Sequence, residues 1–261
     1  MNDILSAEGV KKHLKNPQSN IFVLDCVDST NSYMKTAEFA DKPEGTTVIA
    51  GRQTCGRGRF NRTFHSPENS GIYMSILLRP RIPAADAVLI TALAAVAVSE
   101  AIEALSSARA EIKWVNDVLI KGKKVCGILP EATLNLQNGR LERVILGIGI
   151  NVYTPKDGFA DEIKDIAGAV FERSDENLRN RFAAEIINRF FEQYPQIAER
   201  SFLDYYISRS CVIGKNVTVI SGESRRRAAA LGIDSDCHLL VELEDGSQEL
   251  LSSGEVSLKL S

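Results

Sequence analysis

The 261-residue sequence lacks a long hydrophobic stretch, a metal-ligand spacing and an excess of positive charge. Its longest uncharged apolar run, Ala87 to Ser99, is thirteen residues. A bilayer span needs about 20, so this run is expected to be a buried core helix. The N-terminal stretch MNDILSAEGVKKHLKN has no signal-peptide core, which makes a cytoplasmic location, with no membrane partner, the expectation. Three histidines, His13, His65 and His238, and five cysteines, Cys26, Cys55, Cys126, Cys211 and Cys237, contain no CxxC pair. That excludes the usual zinc spacings and leaves the thiols as small apolar side chains of a reducing compartment. Cys55 stands apart only because it falls inside an arginine–glycine motif. The net charge is −3. Basic residues cluster only over 52–62 and 225–227, too briefly for a DNA-binding surface by charge alone. Internal repeats and low-complexity segments are absent as well.

What is present is an ordinary globular composition, 44% hydrophobic and 25% charged, long enough for one large unit and one small one. Residues 1–20 read as a short helical segment. Ile21–Asp25, Thr47–Ala50 and Ile72–Leu78 have the apolar density of core strands, and a helix is expected through Tyr33–Phe39. The stretch 51–71 between two strands is a long loop, which in a compact domain is usually functional. After the helix Asp86–Leu105, short strands are expected at Glu111–Trp114, Val118–Ile120, Val125–Glu131 and Arg143–Ile150. From Asp175 to Tyr206 the pattern is helical, with Leu178, Phe182, Ile186, Phe190 and Tyr194 on one stripe. Five short strands follow, at Val217–Ile220, Arg226–Leu231, His238–Glu242, Gln248–Leu251 and Val256–Leu260, and read as a small β-barrel. The expected fold class is α+β: a mixed sheet with helices to one side over residues 1–210, and the barrel over 211–261.

Four segments carry chemistry-bearing side chains. Asp28-Ser29-Thr30-Asn31-Ser32 reads as a helix cap, and equally as hydroxyls and an amide that could hold a polar ligand head. Gln53-Thr54-Cys55-Gly56-Arg57-Gly58-Arg59-Phe60 is either a solvated basic turn or a cationic loop for a polyanion. It is neither a Walker loop nor a dinucleotide fingerprint, because no Gly-Lys-Ser/Thr and no third glycine follow. Lys113-Trp114-Val115-Asn116-Asp117, with Lys123-Lys124 downstream, is a turn by composition. The same carboxamide, carboxylate and lysines would also suit a metal-bound nucleotide. Gly147-Ile148-Gly149-Ile150-Asn151 marks a bulge or a close approach of ligand to backbone.

In this order and spacing the segments resemble the biotin–protein ligase family. Its pattern of D-S-T-N, G-R-G-R, K-W-P-N-D, K-x-x-G-I-L-x-E, G-I-G-I-N and G-E-V-S-L is matched by Asp28–Asn31, Gly56–Arg59, Lys113–Asp117, Lys124–Glu131, Gly147–Asn151 and Gly254–Leu258. The resemblance covers nearly the whole chain. It implies a synthetase-like catalytic domain followed by an SH3-like barrel. The implied activity is ATP-dependent formation of biotinyl-5′-AMP, then transfer of biotin to a lysine of a biotin carboxyl carrier protein. By this resemblance Ser29, Thr30, Asn31 and Gln53 hold the biotin head. Arg57, Gly58 and Arg59 order over biotin and the ATP phosphates, and Lys124 touches the biotin carboxylate. Asn116 and Asp117 help place the phosphates and Mg²⁺, which is held through the phosphates without a protein cage. Gly127, Gly147 and Gly149 leave room for the valeryl chain, and Asn151 lies near the nucleotide. Arg57, Arg59 and Lys124 are the implied catalytic cations. No protein nucleophile is required, in keeping with the absence of a Ser/His/Asp or Cys/His set.

Three departures stand out. Val115 replaces a proline that is expected only to stiffen a turn. Pro130 should lie at an edge or strand end, since it cannot donate to a ladder. Phe64 replaces a frequent tryptophan and should still pack beside the biotin pocket. Only 27 residues precede Asp28, fewer than the about 60 of a winged-helix module, so no operator DNA is expected as a partner. The rivals are a lipoate–protein ligase of the same fold, a biotin-responsive regulator and a non-catalytic biotin-binding module. A homodimer is possible.

Overall fold

The structure, a computed structural model, describes residues 3–16, 19–135, 139–172, 175–252 and 254–258. Seven strands form one mixed sheet in the order β1-β2-β3-β7-β6-β5-β4. They are β1 (Ile21–Leu24), β2 (Thr47–Ala50), β3 (Gly71–Leu78), β4 (Glu111–Lys113), β5 (Asp117–Ile120), β6 (Lys123–Asn135) and β7 (Arg140–Asn151). Only β1 and β2 run parallel. Strands β2 and β3 are buried along their whole length, so both read as unbroken apolar runs rather than alternating ones.

The two faces of the sheet are covered differently. On one face lie α3 (Ala87–Leu105), α4 (Leu178–Gln193) and α5 (Leu203–Ser208), with Ile49, Ile76, Leu78, Leu146 and Ile148 of the sheet beneath them. By length and hydropathy alone, 84–105 would suffice to cross a bilayer. Residues Leu89 to Ser99 are instead enclosed in this core, which explains a helix apolar all the way round. On the other face, Met34, Phe39, Val48, Leu77 and Ile145 form a separate small core. It sits under α2 (Thr30–Met34) and a 3₁₀ turn at Ala37–Phe39. Helices thus stand on both faces, not one.

The helix expected through Tyr33–Phe39 starts earlier, with Ser29 as its N-cap, and stops at Met34. The Thr36 hydroxyl donates to the Tyr33 carbonyl at 2.8 Å, a local bond that competes with helix continuation. Strands β6 and β7 run several residues beyond their expected ends. Pairing of β6 with β5 stops at Gly127, so Pro130 lies on a stretch of β6 whose ladder partner is β7 alone. Its missing N–H therefore costs no second ladder. The Trp114–Val115 peptide, where the resemblance placed only a stiffened turn, is cis.

The chain leaves the large sheet at Ser210, which bridges Ile112 of β4. Five antiparallel strands then pair in the order β11-β10-β9-β8-β12. These are β8 (Asn216–Ser221), β9 (Ser224–Ile233), β10 (Leu239–Leu243), β11 (Gln248–Leu251) and β12 (Glu255–Leu258). Their number and sense agree with the small barrel expected. The last two residues of the strand expected over 256–260 lie outside the described residues.

Candidate active site

The register of β3, β7, β6 and β5 lines up three rows of residues on the face that carries α2. Antiparallel partners share a face. The first row is Tyr73, Gly149, Gly127 and Asp117; the second is Ser75, Gly147 and Leu129; the third is Leu77, Ile145 and Glu131. Two adjacent glycines make a trough between Tyr73 and Asp117. A Cβ at Gly149 would stand 2.6 Å from the Phe64 ring, and one at Gly127 would lie 3.1 Å from the Lys124 ammonium and 3.2 Å from Phe64. Phe64 therefore rests on the trough, edge-on to Tyr73 with ring centroids 6.4 Å apart. Burial pushes the Tyr73 phenol up to about 12, and it donates to the Pro67 carbonyl at 2.9 Å.

A register shift between Val118 and Leu119 places one extra residue of β6 opposite β5. Such a bulge reverses the face presented by the residues beyond it. Lys124 is turned onto the trough, and its ammonium lies 2.7 Å from the Asp117 carboxylate. Beside this pair, Asn116 anchors to Ile128 by two bonds, Nδ2 to the carbonyl at 3.1 Å and its own carbonyl to the Ile128 N–H at 2.9 Å. Arg59 then donates to Asn116 Oδ1 at 2.9 Å and to the Gly254 carbonyl at 2.7 Å. Asn151 donates to the Gly168 carbonyl at 3.0 Å. Gly58, Arg59, Asn116, Asp117, Lys124 and Asn151 line one cleft of about 220 Å³, closed on other sides by Phe64, Trp114, Ile166 and Val256. Trp114 is anchored from behind: its indole N–H donates to the Cys237 carbonyl at 2.9 Å, in the turn before β10. The small sheet thus supplies both a wall of the cleft and a support for one.

A second group lies behind Phe64. The Thr30 N–H donates to Gln53 Oε1 at 2.8 Å, and Gln53 Nε2 donates to Ser66 at 2.9 Å. The Ser66 hydroxyl in turn contacts the Phe64 carbonyl at 3.0 Å. Thr30, Asn31 and Ser75 form a buried cluster, with Ser75 2.8 Å from the Thr30 hydroxyl and 2.6 Å from Asn31 Oδ1. Chemically, the arrangement offers a cationic cleft for a polyanion, beside a glycine trough that Phe64 covers and a buried polar cluster behind it.

The biotin/lipoate A/B protein ligase family model matches residues 23–151, and that of the biotin protein ligase C-terminal domain matches 212–259. The bifunctional ligase/repressor BirA of Bacillus spizizenii is 40% identical over 233 residues, covering 87% of this chain and 71% of that protein. The chain belongs to the biotin protein ligase family. The biotin–[acetyl-CoA-carboxylase] ligase of Mycobacterium tuberculosis is 29% identical, covering 82% of this chain and 79% of the relative. Among solved structures, the biotin protein ligase of Aquifex aeolicus in complex with biotin and ATP superposes with a TM-score of 0.77. It is 30% identical, with 93% of this chain and 99% of that one covered.

The structure gathers Gly58, Arg59, Asn116, Asp117, Lys124 and Asn151 at one cleft and Thr30, Asn31 and Gln53 in one cluster, and sets Arg57 and Gly147 apart from the cleft. Arg57 and Arg59, expected to act together, point apart. Arg57 lies 3.0 Å from the Glu131 carboxylate, away from Asn116 and Arg59's other partner. Beyond Arg59, Phe60 and Asn61 take left-handed φ values of 54° and 58° and turn the loop back, so that Arg57 bridges Thr63 and the Gly58 N–H donates to the Arg62 carbonyl at 2.7 Å. Gly147, expected to make room for a valeryl chain, makes room for Asn31: a Cβ there would lie 2.5 Å from Asn31 Oδ1. Sequence reasoning missed Ser66, Ser75 and Glu131. Glu131 closes the K-x-x-G-I-L-x-E motif, which was a signal without an assigned role. Ser75 gave no signal, being one hydroxyl in an otherwise apolar strand.

Proposed function

We propose that this chain joins biotin to ATP, giving biotinyl-5′-AMP and pyrophosphate, and passes the biotinyl group to a lysine of a biotin carboxyl carrier protein, releasing AMP. The observation that carries the reading is the trough: Gly127 and Gly149, under the Phe64 ring, lie between a cluster of buried hydroxyls and amides and a cleft lined by Lys124 and Arg59, and the reading has Phe64 swing aside for the biotin chain. Biotin has that shape, a polar ureido head and an apolar chain ending in a carboxylate. The carboxylate must meet an anionic α-phosphate, and two anions approach only where cations stand between them. Lys124 would hold the carboxylate, with Asp117 keeping its ammonium in place. Arg59 and the Asn116 amide would hold the phosphates, and Arg57 would leave Glu131 to join them as the loop closes and excludes water.

Asn116 and Asp117 present the oxygen donors that suit a hard cation, so the residues fit Mg²⁺ carried in on the triphosphate. Bound there, Mg²⁺ would neutralise phosphate charge. The buried polar cluster disfavours lipoate, because a dithiolane ring would leave the Thr30 hydroxyl facing a ligand with no hydrogen bonds to offer. Mass spectrometry of a carrier protein incubated with the chain, biotin, ATP and Mg²⁺ tests the reading. A mass rise of one biotinyl group is expected. Absence of both biotinyl-5′-AMP and pyrophosphate overturns it, and titration calorimetry showing lipoate binding without biotin binding replaces it by the lipoate reading.

A further inference from the structure

The proton positions in the buried cluster follow from its distances. Asn31 Nδ2 faces two groups that only accept, the Leu129 carbonyl at 3.2 Å and Glu131 Oε2 at 2.8 Å. That fixes the amide's orientation and leaves its Oδ1 toward Ser75. Two oxygens 2.6 Å apart need a proton between them. Asn31 Oδ1 has none, so Ser75 donates. A serine hydroxyl has one proton. The Thr30 proton then has two acceptors in reach, the Ser75 hydroxyl at 2.8 Å and Gln53 Oε1 at 3.2 Å; the shorter contact takes it, since Gln53 Oε1 already accepts the Thr30 N–H. With its proton so committed, the Thr30 hydroxyl offers a ligand lone pairs only. Thr30, Asn31 and Ser75 are 3%, 4% and 0% exposed, so these contacts rather than bulk solvent set the order.

Glu131 ends the chain and sets its direction. Burial raises its pKa, but hydrogen bonds from Lys35 and Asn31 and the charges of Lys35 and Arg57 outweigh that and hold it below the ordinary carboxylate value. It is ionised at neutral pH and can only accept. Its two oxygens are shared out: Oε2 takes Asn31, while Oε1 takes Lys35 at 2.8 Å and Arg57 at 3.0 Å. Departure of Arg57 therefore leaves the Asn31 bond in place.

We infer that Glu131 and Ser75 are positioning residues that fix the hydrogen-bond polarity of the biotin-head pocket through the one-way chain Thr30–Ser75–Asn31–Glu131. The inference rests on the ligase reading and names the ligand feature the pocket selects: an N–H, as a ureido ring supplies. Neither residue touches the reacting atoms.

The test measures biotin affinity by titration calorimetry without ATP, alongside ATP affinity and thermal unfolding. Glu131→Leu removes the acceptor, while Glu131→Gln keeps one amide oxygen for Asn31 and removes the charge. Ser75→Ala breaks the chain at its middle. Expected are biotin affinity about tenfold weaker for Glu131→Leu and Ser75→Ala, affinity within about threefold of the unmodified chain for Glu131→Gln, and ATP affinity unchanged in Ser75→Ala and not weakened in either Glu131 variant, both of which release Arg57. A merely structural role would move both ligands together. Should Ser75→Ala fail to fold, the Leu and Gln pair decides alone. Unchanged biotin affinity in Glu131→Leu overturns the inference, as does an equal loss in Leu and Gln. Failure of the unmodified chain to bind biotin overturns the ligase reading, and the inference with it.

Discussion

The Thr30–Asn31–Ser75 cluster and the cationic cleft sit on one sheet face yet are built in opposite ways. Thr30, Asn31 and Ser75 are sealed from solvent and hold one another. Arg57 and Lys124 have side chains 43% and 36% exposed, each resting on a single acidic partner. A sealed network of neutral groups is fixed before any ligand arrives, and its directionality is its selectivity. An exposed ion pair contributes only about 0–1 kcal/mol and can be exchanged for a stronger anion at little cost. The head pocket is thus built to recognise and the cleft to rearrange.

Lys124→Ala should cut deepest across that divide. Pyrophosphate release in single-turnover assays is expected to slow by about a hundredfold or more, while biotin binding without ATP persists. An unchanged rate would remove Lys124 from the chemistry. Arg57→Ala comes next, with biotinyl-5′-AMP lost from the protein about tenfold faster and a melting temperature close to that of the unmodified chain, because only an exposed pair is broken. If the protein unfolds instead, the loop is structural and the contrast drawn above fails.

Salt sharpens the same comparison more gently. Raising ionic strength from 0.05 to 0.5 M should weaken ATP affinity severalfold by screening the cleft and leave biotin affinity nearly flat. Equal sensitivity of the two ligands would show the head pocket to be electrostatic after all. The smallest effect concerns acid. Glu131 is depressed below its ordinary 4.5 in the folded chain, so what its ionised form contributes is complete above that value. It is lost only as pH falls through the depressed pKa. Biotin affinity should hold level from pH 7 to 5; a decline within that range would place the anchor of the chain elsewhere.

Much of this was legible in the sequence because adenylation needs particular groups in a particular order. Asn116, Asp117, Lys124 and Asn151 occur in short motifs and line one cleft, and Thr30, Asn31 and Gln53 meet beside it, while Ser29 caps the helix that carries Thr30 and Asn31. The parting of Arg57 from Arg59 was not legible, since one residue separates them and nothing in that motif shows that their partners are Glu131 and Asn116. Glu131 meets Asn31 across one hundred positions, and only the β6–β7 register brings that pair together. Lys124 needed a bulge to reach Asp117, and one extra residue in a strand looks like any other. The break at Thr36 came from a hydroxyl that helical periodicity does not weigh.

The anchoring of Trp114 gives the molecule an optical property. It is the sole tryptophan of the chain, it lines the cleft, and its indole nitrogen is tied to the carbonyl of Cys237, in the turn that leads into the smaller sheet's β10. Intrinsic emission therefore arises from a single fluorophore seated at the seam between the two units. Nucleotide arrival and any loosening of that seam can both be followed by its colour and intensity, with no dye attached.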